Sequence, residues 1–301
     1  WITAGDNTSG LLAGIQYDAA GTQGAADDTT QAYNFRMTLT KTAAIKQNFP
    51  NTAPTGYLPQ TYEILGRWFQ ACRNLGYTAV SEGTSATTTN YSLANLGIFN
   101  GIGGNAYFDL NNANGFSTDW IGSNWGAQFQ AITGSAAKHY CEATNAERST
   151  YWNALKSYLL GFWYYLQYDC VNEVAALSAT INAGGTGYAV GDRIVMDVAN
   201  TMFSVVAKVK TVSSGAVTAV EFIGGVLTRG NSAPSNPVSQ LSTSGSGTGC
   251  TLNITWGSRV ASQINSDALL YGLAADHYRD YCEEDFAGWM QCMYLREGRR
   301  M

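Results

Sequence analysis

Apolar residues change their spacing twice along the chain. Over 59–77, PQTYEILGRWFQACRNLGY, Tyr62, Leu65, Phe69 and Cys72 return at three- and four-residue steps, the period that lines one face of an α-helix. Pro59 stands near its start and Gly76 supplies the stop. A second helical run is expected from about Ala143 to Tyr168, with Tyr151, Leu155, Tyr158, Leu159, Phe162 and Tyr165 on one broad apolar face and Glu147, Arg148 and Lys156 on the other. An aromatic stripe of this kind reads as core packing or as the wall of a cofactor site, and general burial tendencies favour packing.

Between about Val174 and Ser258 the period falls to two. Short Val, Ile, Thr and Phe runs are punctuated by AGGTGY, SSGA, IGG and SGSGTG, the signature of antiparallel strands joined by tight turns. GGTGYAVGD lacks the Lys-Ser/Thr ending of a phosphate loop, and no helix is expected after it, so its glycines read as turn residues. After residue 259 helical texture returns. A further strand is expected within AYNFRMTLT, where Ala32, Asn34, Arg36 and Thr38 share one side and Tyr33, Phe35, Met37 and Leu39 the other.

The fold class that follows is α+β: a loop-rich mixed α/β main domain with long amphipathic helices, interrupted by a small antiparallel β module. The main domain is discontinuous, 1–173 and 260–301, and residues 174–259 form the insert, as exposed loops tolerate.

Composition narrows the function classes. The chain has 301 residues, 45% hydrophobic and 12% aromatic, enough for a substantial core. Only 13% are charged, about half the usual share, and Ser, Thr, Asn, Gln and 33 glycines carry the polar balance. That suits an exported protein, extracellular or periplasmic and able to sit at a cell surface. A net charge of −5 offers no basic stripe for phosphates, which argues against nucleic acid and against an anionic bilayer surface. The greasiest run, YLLGFWYYLQY, is too short to span a membrane. The six cysteines form no CxxC and there are two histidines, so a zinc site has little to work with; disulfide pairing and buried thiols both remain open.

Three clusters carry candidate chemistry. In DDTTQAYNFR, Gln31, Asn34 and Arg36 can present a fan of donors, with Asp27 or Asp28 holding the arginine; the alternative is a solvated strand face with a local ion pair. In MYLREGRRM, Arg296, Arg299 and Arg300 invite an anion, or else balance a helix end. In FDLNNANGFSTDW, Asp109, Asn111, Asn112 and Asp119 offer oxygens to a cation, but the spacing does not match a calcium loop and turn chemistry explains most of it. CEEDF, 282–286, sets three adjacent acids on a short segment that ordinarily faces water. No GxSxG elbow or HExxH motif is present, and no metal site is expected.

GGTGYAVGD resembles the GGxGYxxGD β modules of phage tail and bacterial surface proteins, which implies adhesion, spacing or assembly, including homo-oligomers formed through the module. Outside that insert, GAADDTTQAYNFRMTLT, PTGYLPQTYEIL, FDLNNANGFSTDWIGSNW, AERSTYWNALKSYLLGFWYYLQYD, YGLAADHYRD and MYLREGRRM follow in order the middle of bacterial exported FAD-dependent oxidoreductases. The resemblance implies the substrate-side or cap portion of a flavoenzyme that transfers hydride to FAD. Arg36, Asn34 and Arg299 would be catalytic; Gln31, Arg296 and Arg300 would lie toward the flavin. The family's dinucleotide-binding GxGxxG turn and C-terminal flavin segment are absent, so the start at Trp1 and the stop at Met301 read as cuts through a longer polypeptide. The substrate would be a small molecule or a carbohydrate. The rival expectation is a non-catalytic extracellular structural, adhesion or assembly protein on an oxidoreductase-like scaffold.

Overall fold

Glycine and proline punctuation decides where the elements fall. The computed structural model describes residues 1–12, 33–82, 84, 87–93, 99–102, 107–110, 144–274 and 289–295. In chain order these form β1 (Tyr33–Thr40), β2 (Lys46–Gln47), a 3₁₀ turn (Pro59–Tyr62) running into α1 (Glu63–Asn74), β3 (Thr78–Ala79), β4 (Asn90–Tyr91), β5 (Phe99–Ile102), β6 (Tyr107–Leu110) and α2 (Asn145–Tyr164). Then come β7 (Ala175–Thr186), β8 (Arg193–Met196), β9 (Thr201–Ser213), β10 (Ala216–Leu227), β11 (Val238–Thr243), β12 (Thr248–Gly257), α3 (Ser262–Ala268), β13 (Gly272–Ala274) and β14 (Trp289–Leu295). Chain contacts divide them into two units, one of 1–12, 63–78 and 168–261, the other of 13–62, 79–167 and 262–301.

The first unit is a closed antiparallel barrel with strand order β10-β7-β12-β11-β8-β9. Its longest hairpin, β9–β10, pairs Ser213 with Ala216 across the two-residue turn Ser214-Gly215, whose φ values of 51° and 79° make a left-handed turn matched to strand twist. Inward positions fill the barrel with Ile194, Val205, Ala207, Val209, Val217, Phe222, Leu252 and Ile254, all buried. GGTGYAVGD ends β7 and forms its connection to β8. The Asp192 carboxylate accepts a hydrogen bond from the Ala189 amide at 2.9 Å. Buried Tyr188 donates its hydroxyl to the Gln240 side chain and accepts from the Cys250 amide at 3.2 Å. The segment is thus a pinned turn leading into a strand.

Helix α1 belongs to the same unit. It buries Leu65, Phe69 and Cys72, and each of the two largest side chains contributes about 1.5–3 kcal/mol by leaving water. Gln70 Nε2 reaches the Leu177 carbonyl at 3.1 Å and Asn74 Nδ2 the Phe222 carbonyl at 2.8 Å, tying the helix to β7 and β10. Gly76, at φ 76°, closes it: Tyr77 N bonds Cys72 O and Gly76 N bonds Arg73 O, both at 2.9 Å, which satisfies carbonyls the last turn leaves over.

The second unit holds a sheet of order β2-β13-β1-β6-β5, with β14 also on β1. Leu39 pairs with Leu273 and Met37 with Leu110, so segments over two hundred residues apart share the sheet. Helix α2 opens on a capping box: Thr144 Oγ1 accepts from the Glu147 amide at 3.3 Å, and Glu147 Oε2 accepts from the Thr144 amide at 2.8 Å.

The expected α+β architecture with long amphipathic helices is therefore incorrect. Strand outweighs helix, and a closed six-stranded antiparallel barrel dominates one unit. Two physical reasons account for the error. Helix α2 buries Tyr158, Leu159, Phe162 and Trp163 on one broad face, but among the described residues it is the one helix longer than twelve residues, so the apolar periodicity overstates the helical share. Among the described residues of the C-terminal stretch that looked helical, helix is confined to the seven residues of α3, and β13 and β14 pair with a strand near the other end of the chain.

Candidate functional site

Strands β1 and β14 pair antiparallel, with Tyr33 opposite Leu295, Asn34 opposite Tyr294 and Arg36 opposite Met290. The backbones of the two segments singled out near the chain's ends therefore run side by side, and β14 finishes one residue before Arg296. Of the six candidates, only Asn34 and Arg36 fall on a described backbone; Gln31, Arg296, Arg299 and Arg300 lie outside the described residues. So do Asp27, Asp28, Asn111, Asn112, Asp119, the acids of 283–285 and both histidines, whereas Asp109 sits on β6 opposite Thr38. No group of His, Cys, Asp and Glu able to hold a metal occurs among the described residues. Cys72, Cys170 and Cys250 are buried thiols; burial pushes Cys72 up to about 11 and raises Cys250 as well.

The densest polar feature lies in the barrel unit. Buried Arg259, only 3% exposed, forks between two carboxylates. Nη1 and Nη2 donate to Glu63 at 3.1 and 2.8 Å; Nη2 and Nε donate to Glu173 at 2.7 and 3.3 Å. The Arg259 amide also donates to Glu173 at 2.9 Å. The series extends both ways. Glu63 takes Arg67 Nε at 2.7 Å, while Arg229 grips Asp169 at 2.8–3.1 Å and lies 3.8 Å from Glu173. Three arginines alternate with three acids, so formal charge cancels. Burial pushes the Glu173 carboxyl up, but the charge and hydrogen bonds of Arg259, with Arg229 behind it, prevail and hold it below the ordinary glutamate value. Such a chain fixes positions.

This network was not visible in the sequence, because its members stand 86 and 196 residues apart. One local sign existed. Gly66 sits in the middle of α1, where a Cβ would come 2.5 Å from Arg259 Cζ, and a glycine inside a strongly periodic helix points to something passing close.

In the other unit, Tyr271 donates to Glu82, Lys41 Nζ meets Glu82 at 2.8 Å and stands 4.9 Å over the Tyr271 ring, and Asp267 accepts from the Glu82 amide at 2.9 Å. Burial, then the hydrogen bond to Glu82 and the charges of Glu82 and Asp267, drive the Tyr271 phenol far above its usual range. It stays protonated and serves as a buried donor, unsuited to general-base work.

A cleft of about 480 Å³ opens in this unit between residues 49–55 and one face of α2. Asn153, Lys156, Ser157, Leu160 and Tyr164 line it at three- and four-residue steps, opposite Phe49, Pro50, Thr52, Ala53, Pro54 and Thr55. Behind it, Phe49 stacks on Trp163 at 5.7 Å between centroids, Tyr62 stacks on Tyr158 and Tyr165, and the Tyr62 hydroxyl donates to the Tyr158 carbonyl at 2.7 Å. In the described part of the α2 stripe, Tyr158, Leu159, Phe162 and Tyr165 are thus buried in core packing. No protein-family model matches the chain, and neither the curated proteins nor the solved structures contain a match to it.

Proposed function

We propose that the chain is a non-catalytic structural component of an extracellular assembly or adhesive surface, with the barrel acting as a rigid spacer. The observation that carries this reading is the self-neutralising ion-pair chain, which engages the barrel unit's buried arginines and carboxylates in holding α1 against the strands. The barrel's outward positions suit such a role: β11 reads VSQLST, with Val238 buried and Ser239, Leu241 and Ser242 exposed, and Val190 and Leu241 are each about two-thirds exposed. Closure removes the sheet edges through which neighbouring copies would otherwise pair without control. In the full chain, purified without added cofactor, the expected result is a colourless protein that sediments as a defined oligomer, which Leu241→Glu or Val190→Glu dissociates. A yellow product that releases flavin on denaturation, or a strict monomer, overturns the proposal.

A second reading keeps the flavin-dependent oxidoreductase, with Arg36, Asn34 and Arg299 acting on substrate and Gln31, Arg296 and Arg300 toward FAD. It is favoured by one observation, the antiparallel pairing of β1 with β14, which sets the segment carrying Arg36 beside the strand that leads to Arg296. Under this reading Arg36→Ala and Arg299→Ala abolish turnover of the flavin-loaded protein while leaving its melting temperature in place.

A further inference from the structure

The chain enters and leaves the barrel at one place. β7 and β12 are antiparallel neighbours, with Ala175 opposite Gly257 and Ala176 opposite Trp256, so residues 174 and 258 lie at the same end of adjacent strands. Tension arriving along the flanking chain pulls these two ends apart. A ladder loaded in that direction yields one pair at a time, because its hydrogen bonds run across the strands and are strained in turn. By connectivity alone, the barrel would unzip from Ala175 and Gly257 inward.

Two buried residues stand immediately outside that first pair: Glu173, two positions before β7, and Arg259, two positions after β12. They close on each other with three hydrogen bonds. Arg259 Nη2 donates to Glu173 Oε1 at 2.7 Å, and the Arg259 amide and Nε donate to Glu173 Oε2 at 2.9 and 3.3 Å. A second link runs through α1, where Arg259 grips Glu63 at 2.8 and 3.1 Å and Gln70 of the same helix donates to the Leu177 carbonyl of β7 at 3.1 Å. On the entry side, the Leu227 amide of β10 donates to the Val174 carbonyl at 2.9 Å, and Arg229 holds Asp169 at 2.8–3.1 Å. Exit is therefore tied to entry both directly and around the helix. The ties lie in an interior where hydrogen bonds between charged groups are strengthened by the low dielectric.

From this placement we infer that Glu173 and Arg259 form a mechanical lock on the barrel: load carried along the chain passes between residues 173 and 259 through their ion pair, and reaches the β7–β12 ladder only after that pair has broken. The barrel then opens in a single event, because every strand pair behind the lock is weaker than the lock in the direction of pull. The use of such a lock rests on the spacer reading above, since a spacer in an assembly must keep its length under tension. The measurement below concerns the barrel alone.

Optical tweezers acting on the full chain, with handles joined to azidophenylalanine introduced at the exposed positions Val171 and Ser262, test the assignment. The expected result is constant length as load rises, then one lengthening of about 300 Å, the extended reach of the roughly 90 residues released. Arg259→Met opens about a hundredfold faster at the same load and reaches the same final length, since the loss of a buried pair that breaks before the transition state falls on the unfolding rate. Glu173→Gln, which keeps the side chain's shape, also opens faster than the native protein and decides the matter where Arg259→Met does not fold. Lengthening in several small steps from low load, or an opening rate unchanged by these substitutions, overturns the inference. Those results leave the colourless oligomer expected of the spacer reading untouched, and a yellow or monomeric product leaves the lock to stand or fall on its own measurement.

Discussion

Replacing Arg259 by methionine tests the ion-pair chain most directly. The guanidinium makes four hydrogen bonds to two carboxylates that are each about 1% exposed. Removing one partner of a buried pair costs about 3–5 kcal/mol, because the remaining charge has lost both water and counterion. Here Glu63 keeps Arg67 at 2.7 Å, while Glu173 keeps Arg229 at the longer 3.8 Å and the backbone amide of residue 259 at 2.9 Å. We therefore expect a loss of about 3 kcal/mol, near the lower bound, or roughly 10 °C in melting temperature for a unit of this size. Urea unfolding followed by tryptophan fluorescence would measure it. The combined change Glu63→Gln, Glu173→Gln and Arg259→Met removes every charge at the node, and should recover most of the loss.

The pH dependence carries the sign of the argument. In the native protein Glu173 has a depressed pKa, so its contribution is present above the ordinary glutamate range and fades as pH falls through the folded value. In Arg259→Met burial acts with little opposition and raises that pKa, so stability should improve as pH drops across the same range. Parallel slopes for the two proteins, or a single variant no less stable than the combined one, would refute the reasoning.

Three further outcomes follow from the packing. Gly66→Ala improves helix propensity by about 1 kcal/mol, yet should destabilise the barrel unit in chemical denaturation, because the new methyl displaces Arg259. Tyr188→Phe leaves the Gln240 side chain and the Cys250 amide without their buried hydroxyl partner, and should lower the unfolding free energy by about 1–3 kcal/mol with no change in far-ultraviolet dichroism. Burial holds the phenols of Tyr62, Tyr158 and Tyr271 protonated well above their usual range, so stability should be full below pH 10 and decline above it; a flat alkaline profile in thermal melts would contradict these positions.

What was legible beforehand was local. The run Tyr62, Leu65, Phe69 and Cys72 with its terminal Gly76 became α1 because period and stop signal lie within one contiguous stretch. The β texture of 174–258 was readable for the same reason, since SSGA and AGGTGY sit where the chain reverses. The capping box has an equally local signature, Thr144 followed three residues later by Glu147. What escaped was non-local: the closure of the barrel, the sheet built from β1, β13 and β14, and the meeting of Glu63, Glu173 and Arg259. Register between distant strands depends on which side chains fit together in space, and a linear pattern does not encode that. The cleft was hidden likewise, because its two walls are separated by about a hundred residues.

Arg259 lies 196 positions beyond Glu63, and this spacing has a consequence during synthesis. At about 5–20 residues per second, a ribosome needs roughly 10–40 s to deliver the arginine after the glutamate has emerged. Throughout that interval the nascent α1 segment carries a carboxylate destined for a dry interior with its principal counterion still untranslated. Maturation of the barrel unit is therefore timed by its last strand and the few residues that follow, and a chain stalled before Arg259 is the form most exposed to proteolysis.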